Sequence, residues 1–348
     1  MLQKRFLMKI IPIGIIIVFL SIAQFKIYLK NFDKYLVVHI EAAKGVVDGY
    51  PHWRIFQNRI AGPYAVKFTQ EVTGLTFSQS YMLTSLIWMM MFYSTMMAVA
   101  ISIRPSLVFA FGAMVAAAFF NTFLMRGLWL YTWDLIDLVV FTLFIWAILK
   151  EKPIGYLICI LVFETFNREV SLIMAGWLFA DSLLSVRPNR DTGRFPTITI
   201  AFEKPQAIIS LLLIVFIAFT TEYLRDTLMV RQIGPEYFSD FSGSAGLVMF
   251  KLWDNIKFLF FSFTDTKGLS VAYSILIISL PIFSILGVFS RNRQTIRISL
   301  FYMILWVSAM IFGVIYETRI WLAYIPFLVI ACPMILQDME ERVVGEKT

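Results

Sequence analysis

Apolar runs close to the ~20 residues that a helix needs to cross the hydrocarbon layer of a bilayer recur along almost the whole of this sequence. They are Ile10–Phe25, Tyr81–Ile103, Leu107–Met125, Trp129–Leu149, Ala207–Tyr223, Ser270–Phe289, Ile298–Tyr316 and Ile320–Leu336. In hydrocarbon every backbone N–H and C=O must find a partner inside the protein, which for runs of this length leaves the helix. An all-α integral membrane protein is therefore predicted. Composition agrees: 59% of the 348 residues are hydrophobic and 15% are charged, against about 25% charged in soluble domains.

One pair of runs breaks the pattern. Ile154–Val162 and Val170–Leu184 are each shorter than a usual span, and between them lies Phe163-Glu164-Thr165-Phe166-Asn167-Arg168-Glu169. If both runs enter the membrane, these charges sit at shallow depth. A charge there costs several kcal/mol, of order 3, unless it faces protein or a wet cavity, so it marks a functional site by default. Glu164 and Arg168, four apart, are expected to pair on one helix face; an ion pair that only locks a hairpin is the plainer reading. Counting this hairpin as two, about ten transmembrane helices are expected, in one polytopic domain over residues 1–348.

Basic residues set the orientation. Lys4, Arg5 and Lys9 precede the first run, and Ala23-Gln24-Phe25-Lys26 is a poor cleavage site. The first run is thus expected to remain as a span, with its N-terminus in the cytoplasm. Ten crossings then bring the loops at Arg104, Lys150/Lys152, Arg187–Lys204 and Arg291–Arg297, and the tail Asp338–Thr348, to the cytoplasmic side, as the positive-inside rule demands. A single long helix over Ile154–Leu184 would move Arg291–Arg297 outside. The formal charge of +7 therefore reflects topology, and nucleic acid is not an expected partner. The expected location is the bacterial inner membrane, multi-pass, with both termini cytoplasmic. Cys159 and Cys332 lie in apolar runs, and His39 and His52 lack metal-binding spacing.

Two long segments, 26–79 and 224–268, fall on the outer side. The stretch Trp53–Ile60 and its continuation to Val72 mix aromatic, aliphatic and cationic residues, a pattern for interfacial amphipathic helices, punctuated by Pro51 and Pro63. Leu247–Phe263, interrupted by Lys251, Asp254 and Lys257, is read as interfacial or re-entrant.

The same topology collects Asp33, Glu41, Asp134, Asp137, Glu164, Arg168, Glu169, Glu317 and Arg319 at the outer side. Arginine holds a phosphate diester bidentately, and a carboxylate can act as general base on an acceptor hydroxyl. A lipid-phosphate-linked sugar would place its phosphate at that depth. Plainer readings stand beside these: Asp134 and Asp137 capping a helix end, Glu317-Thr318-Arg319 anchoring the last span, Trp129, Tyr131 and Trp133 as an aromatic belt, and the Met-rich Trp88–Met91 and Met96–Met97 as packing.

In order, these features resemble the GT-C superfamily of membrane glycosyltransferases. The resemblance rests on a first span followed by a long outer loop with an early acid and amphipathic helices. It rests further on Tyr50-Pro51-His52-Trp53-Arg54 with Arg59-Ile60-Ala61-Gly62-Pro63, then Trp133-Asp134, Asn167-Arg168-Glu169 and Glu317-Thr318-Arg319. It implies a polyprenyl-phosphate sugar donor and transfer on the periplasmic side to a glycan or lipid acceptor of the cell envelope, with Asp33 or Glu41 as the base. Arg168 would hold the donor phosphate, with Arg54, Arg59 or Arg319. Asp134, Asp137, Asn167, Glu164, Glu169 and Glu317 would orient these groups or bind sugar hydroxyls. A divalent metal suits so many carboxylates, although no ligand spacing demands one. Two alternatives remain: a transporter or flippase of a lipid-linked or anionic solute, and an accessory membrane subunit without chemistry of its own.

Overall fold

A computed structural model describes residues 2–49, 59–125, 131–188, 195–224, 250–262, 268–315 and 317–345. The chain forms α1 (Leu2–Phe32), α2 (Leu36–Val47), α3 (Ala61–Thr73), α4 (Phe77–Ile103), α5 (Leu107–Leu124), α6 (Thr132–Leu149), α7 (Ile154–Thr165) and α8 (Val170–Ser182). A small hairpin follows, β1 (Leu184–Arg187) and β2 (Thr197–Ile200), then α9 (Lys204–Tyr223), α10 (Leu252–Ser262), α11 (Gly268–Val288) and α12 (Arg293–Phe312). A final rod opens as a 3-10 helix over Thr318–Tyr324, widens to a π turn at Phe327–Ala331 and ends as α13 (Cys332–Gly345). Eight of these helices are long and apolar enough to cross a membrane: α1 from Pro12, α4, α5, α6, α9, α11, α12 and the final rod. Apart from the two-stranded hairpin, the described residues are those of an all-α membrane protein.

α6 is the axis of the bundle. Of its apolar window 83% is buried, against 22–50% for the other candidate spans except the final rod at 72%. A helix apolar on every side belongs in an interior, and α6 is packed by α3, α4, α7, α12 and the 3-10 turn. Phe141 and Phe144 of α6 meet Phe301 of α12, and Trp177 of α8 closes the same aromatic cluster. α5 turns Ala110, Ala113 and Ala117 inward, and small residues let membrane helices approach closely.

α7 and α8 have 12 and 13 residues, so they reach only ~18 and ~20 Å, well short of the ~30 Å hydrocarbon layer. They enter and return at one end. Glu151, just before α7, accepts from Gln294, and Asp181, near the end of α8, pairs with Arg297; both partners lie in the first turns of α12. Among the described residues there are eight helices of spanning length and one hairpin of two shorter apolar helices, the hairpin that the expected ten counts as two. A hairpin preserves parity, so the basic loops still share one end. There Arg104 donates to Gln337 at 3.1 Å and the Arg291 N–H to Asp338 at 2.6 Å.

At the other end lie three short helices. α2 faces inward with His39, Ala42, Ala43 and Val46 and outward with Val37, Glu41, Lys44 and Asp48. α3 exposes a stripe of Tyr64, Phe68 and Val72, and α10 exposes Trp253, Phe260 and Phe261. The inward Asn255 of α10 donates to the carbonyls of Met310 and Gly313 at 2.8 and 2.7 Å and accepts from the Ile315 N–H. It thereby fixes the turn that delivers Glu317 and Arg319.

Candidate functional site

The first turn of α6 carries the site. Tyr131 is extended, and the Asp134 carboxylate accepts its N–H at 2.7 Å, closing the start of the helix where its dipole favours a negative charge. Asp137 follows one turn later. Twelve residues separate Asp137 from Leu149, ~18 Å at 1.5 Å per residue. That is also the length of α7, so the hairpin tip rises to the level of Asp137.

At the tip α7 ends at Thr165, and the carbonyl of Glu164 accepts the N–H groups of Asn167 and Arg168 at 2.9 and 2.7 Å. Arg168 thus lies beyond the helix, and the expected Glu164–Arg168 pair does not form. Helical i, i+4 geometry does not apply past a helix end. Instead one terminal nitrogen of Arg168 contacts Asp134 at 3.1 Å and Asp137 at 2.5 Å. The Asn167 amide donates to Asp137 at 2.6 Å and to the Trp133 carbonyl at 3.1 Å, and lies 3.3 Å from the buried Glu164.

Asn167→Asp should therefore be costly. It exchanges a donor aimed at Asp137 and Glu164 for a third carboxylate in a buried place, an expected loss of about 3 kcal/mol or more. Thermal unfolding in detergent reads this; a variant as stable as wild type refutes the assigned amide contacts.

The first outer segment joins the same cluster. The Ala61 N–H donates to the Phe166 carbonyl at 2.9 Å, and Arg59 meets Glu169 at 3.5 Å. Gly62 sits so close to α6 that a Cβ there would lie 2.9 Å from Thr132 Oγ1. The final rod adds Arg319, which pairs with Glu317 at 2.7 Å and stands 3.9 Å from Asp134. Two stacked rings carry the outer arginines. Tyr131 and Trp133 lie 4.4 Å apart and nearly parallel, with Arg319 over Tyr131 at 5.4 Å and Arg59 over Trp133 at 5.7 Å. Both rings are fully buried, so these two aromatics form an internal support and not a lipid-facing belt.

His39 completes the stack, 4.6 Å from Tyr131 and 5.4 Å from Phe32. Burial, aided by the Arg319 charge, lowers its pKa from 6.5 to about 3, so the ring is neutral. The unfolded chain binds a proton near pH 6.5 that the folded chain refuses until about pH 3. This contribution to stability is full above pH 6.5 and falls by about 1.4 kcal/mol per pH unit below it. The His39→Phe variant should show a flatter stability–pH profile between about pH 6 and 4; parallel profiles refute it.

Beside the hairpin tip lies a cavity of about 280 Å3. Asp137, Arg168 and Glu169 form its polar corner, and Phe141, Ile173, Leu305, Ala309, Phe312 and Ile320 form its walls. The Arg168 side chain is 17% exposed, and its hydrogen bonds to described residues use a single nitrogen. The other N–H groups of Arg168 have no described partner.

The structure brings together Arg59, Asp134, Asp137, Glu164, Asn167, Arg168, Glu169, Glu317 and Arg319. Asp33 and Glu41 are exposed, and no described contact joins either to the cluster. Arg54, His52 and Trp129 lie outside the described residues. Among the described residues, no group of three His, Cys, Asp or Glu side chains is arranged to hold a metal ion. No family model, curated protein or solved structure matches the chain.

Proposed function

We propose that the protein is a GT-C-like glycosyltransferase of the bacterial inner membrane. It would move a sugar from a polyprenyl-phosphate donor to a glycan or lipid acceptor on the periplasmic side, in cell-envelope synthesis. The observation that carries this reading is the Arg168 guanidinium, fixed by two aspartates at the polar corner of a cavity walled by hydrocarbon. One phosphate on a long isoprenoid tail matches that pairing of surfaces. The free N–H groups of Arg168 take two phosphate oxygens, with Arg59 and Arg319 behind. The positive-inside rule assigns the Arg104 and Arg291–Arg297 end to the cytoplasm, and so puts Arg168 in the periplasmic half of the membrane.

The acceptor oxygen attacks the anomeric carbon, the bond from that carbon to the phosphate oxygen breaks, and polyprenyl phosphate leaves with the electron pair. A carboxylate takes the acceptor proton. Glu169, which lines the cavity with its side chain 33% exposed, is better placed for this than Asp33 or Glu41. Asp134, Asp137, Glu164, Glu169 and Glu317 outnumber the three arginines, so a divalent cation arriving with the phosphate would balance the charge.

The test is transfer from a labelled polyprenyl-phosphate sugar by purified protein in liposomes. Arg168→Lys and Glu169→Gln should each lower it at least about a hundredfold, the usual scale for losing a positioned charge or proton acceptor. Full activity in both variants, and in Asp33→Asn and Glu41→Gln, would eliminate these assignments. The half-length helices α7 and α8, meeting at a charged tip, favour one other reading, a flippase or transporter. Solute flux without sugar transfer in the same liposomes would select it.

A further inference from the structure

At the end of the bundle remote from Arg168, the β hairpin, the α11–α12 turn and α13 surround a second cavity, of about 810 Å3. The strand register pairs Leu184 with Ile200, Ser185 with Thr199, Val186 with Ile198 and Arg187 with Thr197. Directly opposed residues share a face. The hairpin is therefore apolar on one side (Leu184, Val186, Ile198, Ile200) and polar on the other (Ser185, Arg187, Thr197, Thr199). Val186 is tucked into the protein, but Ile198 is 48% and Ile200 is 88% exposed. Through Phe202 this surface runs on to Ile208, Leu211, Leu212 and Val215, the exposed stripe of the candidate span α9. The hairpin thus continues a surface that faces lipid, at the level where that surface meets water.

The cavity beside it has charges left over. Its carboxylates on α13 are occupied, Asp338 by the Arg291 N–H and by Arg342, and Glu341 by Gln337. Arg187, Arg291 and Arg293 line the cavity, and their guanidiniums have no described carboxylate partner. Against these three stands Glu203, which lines the same cavity with no described cationic partner. Thr295, only 1% exposed, lines the same space, and its hydroxyl has no described partner.

We infer that this end of the protein binds an anionic phospholipid. Arg187, Arg291 and Arg293 gather the headgroup phosphate, Thr295 donates to it, and Ile198 and Ile200 lie among the acyl chains alongside. The apolar face selects lipid over a soluble phosphate ester, because a small anion would leave that face in water. Cations beside an anionic membrane surface each contribute roughly fivefold in affinity, so three give a preference of order a hundredfold over a zwitterionic lipid.

Native mass spectrometry of the full chain in nonionic detergent can count bound lipid. Phosphatidylglycerol should be retained at least about tenfold over phosphatidylcholine. The triple variant Arg187→Gln, Arg291→Gln, Arg293→Gln should bring that ratio near one. Arg187→Gln alone, at the exposed end of β1, should lower it severalfold and decides the matter if the triple variant does not fold. Ile198→Ser with Ile200→Ser should weaken both lipids alike. The inference is overturned if the arginine variants keep the wild-type ratio, if the isoleucine variant retains lipid as wild type does, or if inorganic phosphate displaces phosphatidylglycerol at equal concentration.

Discussion

Arg168→Gln should destabilise the protein by about 3–5 kcal/mol, the cost of removing one partner from a buried ion pair. The size follows from what is left behind. Asp134 and Asp137 are 0% and 4% exposed, and without the guanidinium they face each other across one helical turn. Asp134 retains the Tyr131 N–H and Asp137 the Asn167 amide, so the loss falls short of expelling two bare charges. Removing charge from both sides should restore most of it. A variant combining Arg168→Met with Asp134→Asn and Asp137→Asn should return to within about 1–2 kcal/mol of wild type, because neutral groups of similar shape often replace buried ion pairs without penalty. The amide oxygen that Asp134→Asn leaves in place can still close the helix start. Chemical denaturation in detergent measures both variants. A loss below about 1 kcal/mol for Arg168→Gln would place the pair in water, contrary to its position at the corner of the cavity. On the proposed reading transfer should not return in the combined variant, which separates the part Arg168 plays in the fold from its proposed hold on a phosphate.

Gly287→Val should be nearly as damaging, by a different route. Gly287 lies in the last turn of α11, where α11 crosses α12 and the final rod. A Cβ there would overlap Ser299 Oγ and come within 2.7 Å of Ile335 Cδ1. The Ser299 hydroxyl is on an interior helix face and fully buried, so it cannot swing aside into solvent. Overpacking costs about 1–3 kcal/mol per insult and more where backbones must part, and close glycine contacts are what hold membrane helices together. Gly287→Val should therefore lose at least about 3 kcal/mol, and Gly287→Ala somewhat less. Pairing Gly287→Ala with Ser299→Gly removes the first clash and should recover more than half of the alanine loss. If the double variant is no more stable than Gly287→Ala, the close approach is not where the energy lies.

Much of this architecture could be read in the sequence, because membrane chemistry allows few options. Run length marked the eight long helices, and basic loops marked the end they share. The cluster was legible in outline: Arg168, Glu169, Asp134, Asp137, Arg59, Glu317 and Arg319, from four distant stretches, do converge. Pairings were not legible. Four-residue spacing suggested Glu164 with Arg168, yet spacing carries no information once a helix has ended at Thr165. Tyr131 and Trp133 read as a belt because an aromatic at the start of a span looks the same whether it faces lipid or a neighbouring arginine. The inward face of α2 belongs to His39, and its alternation with Glu41 is visible only when α2 is known to be a helix. Gly62 gave no signal, since a glycine admitting a close approach reads like any other until its neighbour is known. The β hairpin also escaped notice, being four residues a strand inside a basic loop.

The short hairpin has a consequence for traffic. Its tip is roofed by the Ala61–Phe166 hydrogen bond and the Arg59–Glu169 pair, while the cavity wall beneath is mostly apolar, with Val170 and Ile173 of α8 facing Leu305, Ala309 and Phe312 of α12. An amphiphile entering between those two helices keeps its chain in the bilayer throughout, and avoids the ~0.8 kcal/mol per methylene that passage through water would exact. If the proposed lipid-linked donor uses this route, turnover follows its density in the leaflet, and its bulk concentration is the wrong variable to plot.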